Sequence, residues 1–474
     1  MKLKFDAPRI IVFAAMLALL AACTVGPKYV RPTVDTPAVY KEAGDWKVAQ
    51  PRDELKRGKW WETFGDALLN GLIEQIDISN QNVRFAEAQF RQARAFVQSA
   101  RAGLFPSLTG SAAATRSGTG SSASSRGGGV ANDFTLSLDA AWEVDVWGRV
   151  RKSVESSVAG AQASAADLEA ARLSAQAELA LNYFQLRVLD AQRQLLDDSV
   201  AAFQKSLDLT RNRYAAGVAG KVEVVQADTQ LKSTQAQAID IGVQRAQFEH
   251  AIAILIGKPP AEFSLAPIPL NVVMPSIPAS LPSELLERRP DIAAAERRVA
   301  AANAQIGVAK SAFFPALTLS GSAGFQNSSF AQWLTLPSRF WAVGPAIAQS
   351  IFDAGLRRAL TDQAIAVYDA NVANYRRTVL GGFQEVEDNL AALHVLEQEA
   401  KLQDDAVQAA RQSLDLTINQ YKAGTVSYLN VVTVQTAWLT NERTAFGIRG
   451  RRLTAVVTLV KALGGGWTAT EPSR

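Results

Sequence analysis

The side chains that most often carry out chemistry in enzymes are sparse in this chain. Its 474 residues include one cysteine, Cys23, and two histidines, His250 and His394. Each histidine stands alone on its own helical segment, so neither a metal-ligand spacing nor a nucleophile–base pair can be built from these residues. The glycine triplets at 127–129 and 464–466 lack the strand-to-helix context and the following Lys-Ser/Thr of a phosphate loop. We therefore expect a protein that is not an enzyme and needs no cofactor.

Cys23 offers a different reaction, because it follows a predicted export signal. Basic residues in the first nine positions precede an apolar run at 10–20, which is typical of a signal peptide and not of a membrane-spanning helix. A cysteine directly after Leu20-Ala21-Ala22 resembles the lipobox of bacterial lipoproteins, in which the thiol is acylated. In such lipoproteins, Thr24 in place of aspartate implies sorting to the outer membrane. The alternative is an ordinary signal peptide in which the cysteine is incidental.

Charge and composition narrow the class of protein further. The 49 basic and 45 acidic side chains nearly balance, and no basic cluster is interleaved with aromatic residues. The sequence therefore does not indicate a nucleic-acid partner. Because Cys23 is the only cysteine, no disulfide can form within the chain.

One long internal repeat organises the chain. The pentapeptide Ser206-Leu207-Asp208-Leu209-Thr210 recurs at 413–417, and half of the positions from 206 to 229 are identical to those 207 residues later. Phe105-Pro106 is matched in a similar way by Phe314-Pro315. Self-similarity of this length indicates a tandem duplication of about two hundred residues.

Each repeat is predicted to contain a helix, a β-hairpin, a long helix, a turn and a returning helix. The opening helices are placed from Asp66 to about Gly103 and from Ser283 to about Ala312, the hairpins at 106–146 and 315–352, and the turns at 215–221 and 422–428. The complete predicted organisation is a signal peptide at 1–22, a lipid-anchored extended segment at 23–65, repeat 1 at 66–256, a proline-rich linker at 257–283, repeat 2 at 284–464 and a C-terminal tail at 465–474.

The clearest strand runs from Phe134 to Val146, where apolar and polar residues alternate. Its counterpart at 341–351 is less regular and contains Pro345, which is unusual inside a strand. The segments that join the strands, 116–130 and 326–338, are predicted to be exposed loops.

Strands of this length with one apolar face are typical of the staves of an outer-membrane barrel. The alternative is a half-buried hairpin packed on a soluble domain. The mature chain contains no apolar stretch of the roughly eighteen residues that a spanning helix needs, so a membrane crossing requires a closed barrel. Four strands cannot close around a lumen, and several protomers must then share one barrel.

The longest predicted elements are two proline-free helices, from Gly148 to about Tyr214 and from Gly355 to about Tyr421. At the α-helical rise of about 1.5 Å per residue, some sixty residues span roughly 90 to 100 Å. Along the first helix, apolar residues recur at spacings of three and four or their sums, which predicts a coiled-coil-like seam. The seam residues are Val154, Val158, Ala161, Ala165, Leu168, Ala175, Leu179, Leu186, Leu189, Leu196, Val200, Phe203 and Leu207.

Several short motifs, each weak alone, occur in a specific order along almost the whole chain. They are Cys23-Thr24-Val25-Gly26-Pro27-Lys28-Tyr29-Val30-Arg31-Pro32, Trp60-Trp61 with Phe64 and Asp66, Arg289-Pro290-Asp291-Ile292, Ala304-Gln305-Ile306-Gly307, Phe352-Asp353-Ala354-Gly355 and Tyr421-Lys422-Ala423-Gly424. In this order they resemble the TolC-like outer-membrane factors, in particular the lipoprotein branch (NodT/OprM type) that serves resistance–nodulation–division efflux pumps. The resemblance implies an α+β membrane protein with a long coiled-coil-like helical barrel and a transmembrane β-barrel, shared by three protomers with four strands each.

The resemblance also implies a function and partners. An outer-membrane channel of this kind is the exit duct of a tripartite efflux system, and it conducts drugs or other small molecules passively from the periplasm to the outside. It is a homotrimer whose partners are a periplasmic adaptor (membrane fusion) protein, an inner-membrane resistance–nodulation–division transporter and outer-membrane lipid. Two alternatives remain open: the duct of a peptide or protein secretion system, or a lipid-anchored periplasmic coiled-coil scaffold.

Residue roles at the turns come from the same resemblance. Arg213, Tyr214 and Gly217 in repeat 1, with Tyr421 and Gly424 in repeat 2, occupy the turns where the family meets its adaptor. The alternative is that glycine supplies the turn and tyrosine packs the tip.

The same resemblance makes two acidic residues candidates for a periplasmic gate. Asp208 and Asp415 precede the tip tyrosines by six residues, and in a homotrimer each would form a ring of carboxylates that favours cations. The alternative is a solvated position on a long helix.

Overall fold

The computed structural model describes residues 24–43, 59–119, 129–268, 270 and 288–465. The helices and strands in these residues are, in chain order, α1 (Ala67–Ser79), α2 (Gln81–Ala102), β1 (Ser107–Thr119), β2 (Gly129–Val144), α3 (Arg149–Ala215), α4 (Lys221–Leu255), α5 (Pro290–Ser311), β3 (Ala316–Asn327), β4 (Arg339–Ala348), α6 (Leu356–Lys422) and α7 (Tyr428–Ala462). Short 3-10 turns lie at Lys41–Ala43, Trp60–Phe64, Pro260–Glu262, Phe330–Gln332 and Leu336–Ser338.

The opening helix predicted from Asp66 to Gly103 is two helices, which Asn80 separates. The backbone of Asn80 is extended, its Oδ1 accepts a hydrogen bond from the Val83 amide (3.0 Å), and its Nδ2 donates to the carbonyl of Leu255 (2.7 Å). The prediction of one unbroken helix was wrong. The break has a local cause, because Asn80 caps α2 through the Val83 amide, and the bond to Leu255 holds that cap against the end of α4.

In the second half, the structure describes the corresponding helix, α5, from Pro290 onward, and the predicted start at 283 lies outside the described residues. Proline is favoured at the first helical position, where no intrahelical donor is needed. The preceding residue, Arg289, donates through Nη1 to the carbonyl of Ala462 (3.3 Å). Arg289 thus binds the end of α7 as Asn80 binds the end of α4.

The four strands in the described residues form one antiparallel sheet in the order β1-β2-β3-β4. The predicted loop at 116–130 was wrong at both ends, because residues 116–119 of β1 pair with residues 129–132 of β2. These residues are mostly small, apart from Arg116, and lack the apolar alternation that signals a strand. Their pairing is nevertheless favourable because ladder hydrogen bonds join backbone groups whatever the side chains are.

β4 runs from Arg339 to Ala348 and so begins and ends earlier than the predicted strand at 341–351. Pro345 lies within it, opposite Leu319. Proline lacks a ladder donor, and it is tolerated here because β4 is an edge strand of this sheet.

The register divides the sheet into an apolar face and a polar face, since paired residues lie on the same side and neighbours along a strand lie on opposite sides. The apolar face contains Leu108, Leu136, Leu138, Trp142, Leu317, Leu319, Phe325, Trp341, Val343 and Ile347. The polar face contains Thr109, Ser111, Thr115, Thr135, Ser137, Asp139, Glu143, Thr318, Ser320, Ser322 and Gln326.

The helices that follow each hairpin match in length. α3 and α6 have 67 residues each, and α4 and α7 have 35 each. The predicted seam of α3 is confirmed along most of its length. Its buried members are Ala161, Leu168, Ala175, Leu179, Leu186, Leu189, Leu196, Phe203 and Leu207, while Val154, Val158, Ala165 and Val200 are partly buried.

The chain divides into two compact units. The first comprises Met1–Thr33, Gln89–Ala165 and Ala294–Arg376, and contains the sheet and most of α5. The second comprises Val34–Ala88, Ala166–Ala293 and Arg377–Arg474, and contains both helix turns. Each unit takes segments from both predicted repeats, so unit boundaries and repeat boundaries differ.

Among the helices that the structure describes, none combines the length and the apolar character that crossing a bilayer requires.

In the first unit, the N-terminal segment lies along α5. Gly26 has φ +120°, and a Cβ on it would lie 2.6 Å from the Cα of Gly307, so the two backbones meet at a point where a side chain does not fit. The Tyr29 hydroxyl donates a hydrogen bond to the buried carboxylate of Glu296. These contacts hold the chain immediately after position 23 against a helix.

In the second unit, Trp60, Trp61 and Phe64 are buried in an aromatic cluster, with the ring of Phe64 4.8 Å from that of Phe184. The neighbouring Tyr183 donates its hydroxyl hydrogen to Asp66 Oδ2 (2.6 Å). Burial, with that hydrogen bond, raises the pKa of Tyr183 to about 12.

We expect this tyrosine to contribute stability that is fully present below pH 10 and is lost as the pH rises from about 10 to about 12, because its pKa is higher in the folded than in the unfolded chain. In Tyr183→Phe, the decrease in the free energy of unfolding over this pH range should be smaller than in wild type by about 1 to 2 kcal/mol. The measurement is the midpoint of thermal unfolding of the detergent-extracted protein across that range, with the exposed Tyr214→Phe as control. An unchanged alkaline loss in Tyr183→Phe would contradict the assignment.

Candidate functional site at the two helix turns

The turns after α3 and α6 share one backbone geometry. Gly217 (φ +76°) and Gly424 (φ +81°) adopt the left-handed conformation that glycine favours after a helix. In the first turn, the Gly217 amide donates to the Tyr214 carbonyl (2.9 Å), and the Val218 amide donates to the Arg213 carbonyl (2.9 Å). In the second turn, the Gly424 amide donates to the Tyr421 carbonyl (3.0 Å), and the Thr425 amide donates to the Gln420 carbonyl (3.0 Å). Together they satisfy the last carbonyls of each long helix.

Arg213 connects the two turns. Its Nη1 donates to the carbonyl of Tyr421 (2.9 Å) and, more weakly, to that of Lys422 (3.3 Å). Its guanidinium lies over the Tyr421 ring, 4.7 Å from the ring centroid, where a cation is attracted by the aromatic face. A positive side chain at the C-terminus of α6 also complements the helix dipole. The first turn thereby stabilises the end of the helix that leads to the second.

Tyr421 is the centre of this contact and is only 3% exposed. Its hydroxyl donates to Glu223 Oε2 (3.1 Å) and lies 3.2 Å from the Thr210 hydroxyl. Its ring meets that of Tyr428 edge to face, with centroids 5.4 Å apart. Burial raises the pKa of Tyr421 above its ordinary value. We call Arg213, Thr210, Glu223, Tyr421 and Tyr428 the tip network.

Equivalent residues of the two repeats have different environments. Tyr214, the counterpart of Tyr421, is 48% exposed. Of the five residues predicted at the turns, the structure brings Arg213 and Tyr421 into contact, places Gly217 and Gly424 in the turns themselves, and leaves Tyr214 open to solvent.

Sequence reasoning missed three members of the tip network: Thr210, Glu223 and Tyr428. A signal for two of them existed in the repeat alignment, because Glu223 and Tyr428 stand where the other copy has asparagine and lysine. Such differences between copies mark positions where the two halves make different contacts.

The candidate gate residues lie outside the tip network. Asp208 accepts a hydrogen bond from Gln204 (3.0 Å) and lies 3.9 Å from Arg211. Asp415 lies 3.8 Å from Arg411, beside a surface cleft of about 440 Å³. Both carboxylates are exposed, and these contacts lie within their own helices.

Position 23, the predicted lipidation site, falls outside the described residues. Among the residues that the structure does describe, no group of three or more His, Cys, Asp or Glu side chains is placed to hold a metal ion.

Comparison with known proteins identifies the family. The family model described as "Outer membrane efflux protein" matches residues 72–258 and 281–465. The probable efflux pump outer membrane protein TtgC of Pseudomonas putida is 30% identical over 454 residues, covering 95% of this chain and 94% of TtgC. The pyoverdine export outer membrane protein OpmQ of Pseudomonas aeruginosa is also 30% identical, with 95% of each chain covered.

A solved structure agrees with these relatives. The outer-membrane channel OprN superimposes with a TM-score of 0.88 and 32% identity, covering 94% of this chain and 100% of that one. Both the predicted family and the predicted outer-membrane location are thereby confirmed. This chain belongs to the outer membrane efflux protein family.

Proposed function

We propose that three copies of this chain form the exit duct of a tripartite efflux pump, which conducts drugs or other small molecules passively from the periplasm to the outside. A periplasmic adaptor docks at the helix turns, and an inner-membrane resistance–nodulation–division transporter supplies the energy. The relatives support this role, since TtgC is described as an efflux pump protein and OpmQ as a pyoverdine export protein. No step of the function requires a catalytic group.

The single observation that carries the proposal is the two-faced sheet. Its strands have 10 to 16 residues, enough for a tilted strand to cross a bilayer. An apolar face suits lipid and a polar face suits a water-filled lumen. Four strands are too few to enclose a lumen, so three copies would contribute twelve strands to one barrel.

The equal lengths of the paired helices and the two separate family matches support the proposed tandem duplication. Equivalent contacts support it too. Trp142 Nε1 donates to the carbonyl of Leu104 (3.1 Å), and Gln349 Nε2, which follows 207 residues later, donates to the carbonyl of Phe313 (3.2 Å). In both hairpins, a side chain near the end of the second strand donates a hydrogen bond to a backbone carbonyl just before the first strand.

We assign different tasks to the residues of the turns. Tyr214 and Gly217 are exposed and are the proposed adaptor contacts. The turn at Gly424 is proposed to contact the adaptor as well. Arg213 and Tyr421 hold the two turns of one protomer together, which keeps the entrance in its resting state. Docking of the adaptor would compete with these contacts.

Asp208 and Asp415 are the proposed gate residues. Both are exposed carboxylates on the long helices, and threefold repetition would place three of each around the axis. Rings of carboxylates raise the local cation concentration and repel anions.

Cys23 is the proposed lipid attachment point. The chain from Val25 onward is held by fixed contacts, beginning with the hydrogen bond from the Val25 amide to the Trp147 carbonyl (3.0 Å). An acyl group one or two residues away would therefore enter the membrane beside the start of α3.

The duct itself is tested by reconstituting the purified protein in planar bilayers. We expect conductance steps with a preference for cations, and Asp208→Asn or Asp415→Asn should shift the reversal potential towards zero because each removes three charges from the trimer. Asp404→Asn, an exposed acid on the same helix as Asp415, is the matched control. Trimers that conduct no ions in the bilayer, either as wild type or with Arg213→Ala, would contradict the duct.

The role of Arg213 is tested in the same bilayers. Arg213→Ala should raise the open probability at least fivefold, because the loss of even roughly 1 kcal/mol of hydrogen bonding changes the equilibrium by that factor. Amide exchange should also accelerate at the end of α6. Lys401→Ala, an exposed basic residue on α6 that pairs with Glu397 of the same helix, should leave both quantities unchanged. Equal effects of the two substitutions would argue against the proposed link between the turns.

Lipidation is tested with Cys23→Ala by palmitate labelling and envelope fractionation. We expect the variant to lose the label and to accumulate less in the outer membrane, since an unanchored chain must find the membrane without its tether. Lys28→Ala, which leaves the lipobox intact, is the control. A folded, soluble monomer of Cys23→Ala would speak against the barrel and in favour of a lipid-anchored scaffold.

A further inference from the structure

We propose that neighbouring copies of this chain are joined at the junction of sheet and helices by Phe352 of one copy, which packs on Phe105 of the next. The surface consists of these two rings and Ile351. This inference rests on the proposed trimer and specifies where its protomers hold each other.

The strand order determines which segments of two copies come together. β1 and β4 are the edges of the four-stranded sheet, and an edge leaves a row of backbone groups unpaired. Because the strands alternate in direction, β4 of one copy can pair antiparallel with β1 of the next, and the ring can then close. Such pairing brings the chain after β4 beside the chain before β1. Phe352 lies in the former segment and Phe105 in the latter.

The same kind of junction already exists once within each copy. Where the end of β2 meets the start of β3, the ring of Trp147 stacks on Phe314 with centroids 4.8 Å apart and an interplanar angle of 26°. Trp147 Nε1 also donates to the carbonyl of Pro315 (2.7 Å). Phe314-Pro315 is the repeat equivalent of Phe105-Pro106. At the junction between copies, Phe105 therefore supplies the ring that corresponds to Phe314.

The other ring of the pair must come from a different residue. Ala354 stands 207 positions after Trp147 and has no ring to stack. Two residues earlier, Phe352 is 87% exposed and Ile351 95% exposed, and Phe105 is 70% exposed. Large apolar side chains that protrude together from both edges of one sheet indicate a contact that a single copy cannot make.

The turn that carries Phe352 is rigid, which favours a specific partner. Asp353 accepts hydrogen bonds from the amides of Gly355 (3.1 Å) and Arg357 (3.3 Å) and from the Arg357 side chain. Ala354 has φ +51°, and it is the only described residue other than glycine with a positive φ. A residue with a Cβ adopts this conformation only when its surroundings enforce it. Two apolar side chains are thus held outward at fixed positions.

A second copy explains this surface better than lipid does. Lipid contact requires apolar character but no fixed geometry, whereas the β2–β3 junction packs against protein. The aromatic ring on the opposite edge, Phe105, supplies a matching group at the position that strand pairing predicts.

The test is a cysteine pair in the full-length, membrane-extracted protein. Phe105→Cys and Phe352→Cys are combined and treated with dibromobimane, which bridges nearby thiols by alkylation. We expect covalent dimers and trimers on a denaturing gel, and none from either single substitution. The matched control pairs Phe105→Cys with Val343→Cys, which is 80% exposed on the same strand edge but roughly 30 Å farther along the chain, and it should give no product.

A second measurement covers the energetic role. Phe352→Ala should shift the equilibrium between trimer and monomer towards monomer by about tenfold, as for other buried aromatic anchors of an interface, while Val343→Ala should not. Trimers that form without the 105–352 product, or whose cysteine at 352 reacts fully with a lipid-soluble maleimide, would overturn this proposal alone. Wild-type protein without trimers would overturn the proposed assembly as well.

Discussion

The unpaired edges of a four-stranded sheet are the constraint on which the rest of the structure depends. One face of this sheet is apolar, and in lipid each backbone group without a partner costs several kcal/mol. In the proposed barrel, the edges β1 and β4 must therefore be paired, and the four strands that the structure describes can pair them only with other copies of the chain. Strand number, the even alternation of direction and the exposed rings at both edges all agree with a closed ring.

At the other end of the long helices, the contacts are few and polar. Arg213 makes two hydrogen bonds and one cation–π contact with the end of α6, and Tyr421 binds Glu223. Charge-assisted hydrogen bonds of this kind contribute on the order of 1 to 3 kcal/mol each. A docking partner with a moderate interface can outweigh such contacts, so the tip network suits a link that holds at rest and yields on assembly. In the proposed duct, the pairing of the sheet edges would stay closed, whereas the contacts between the turns would open.

The two halves of the chain share a backbone plan but not their side-chain contacts. Asn80 and Arg289 bind equivalent helix ends with different groups. Arg213 has glutamine as its counterpart, and Trp147 has alanine. In the proposed trimer, the two halves would alternate around the axis, so that each half would meet the other rather than itself. Divergence at these positions lets one half supply the donor or the ring that the other half accepts.

The amino-acid sequence determined the elements whose cause is local. Absence of proline and a three-four apolar spacing predicted α3 and α6, Phe-Pro pairs marked the starts of β1 and β3, and Tyr-x-x-Gly marked both turns. Tertiary structure decided what depends on distant partners: the extension of β1 past 116, and the burial of Tyr421 while Tyr214 stays exposed. The last case is the clearest, because the two tyrosines occupy the same local motif. Their environments differ only because Arg213, Glu223 and Tyr428 converge on one of them, and hydrogen bonds between residues about two hundred positions apart leave no trace in local sequence.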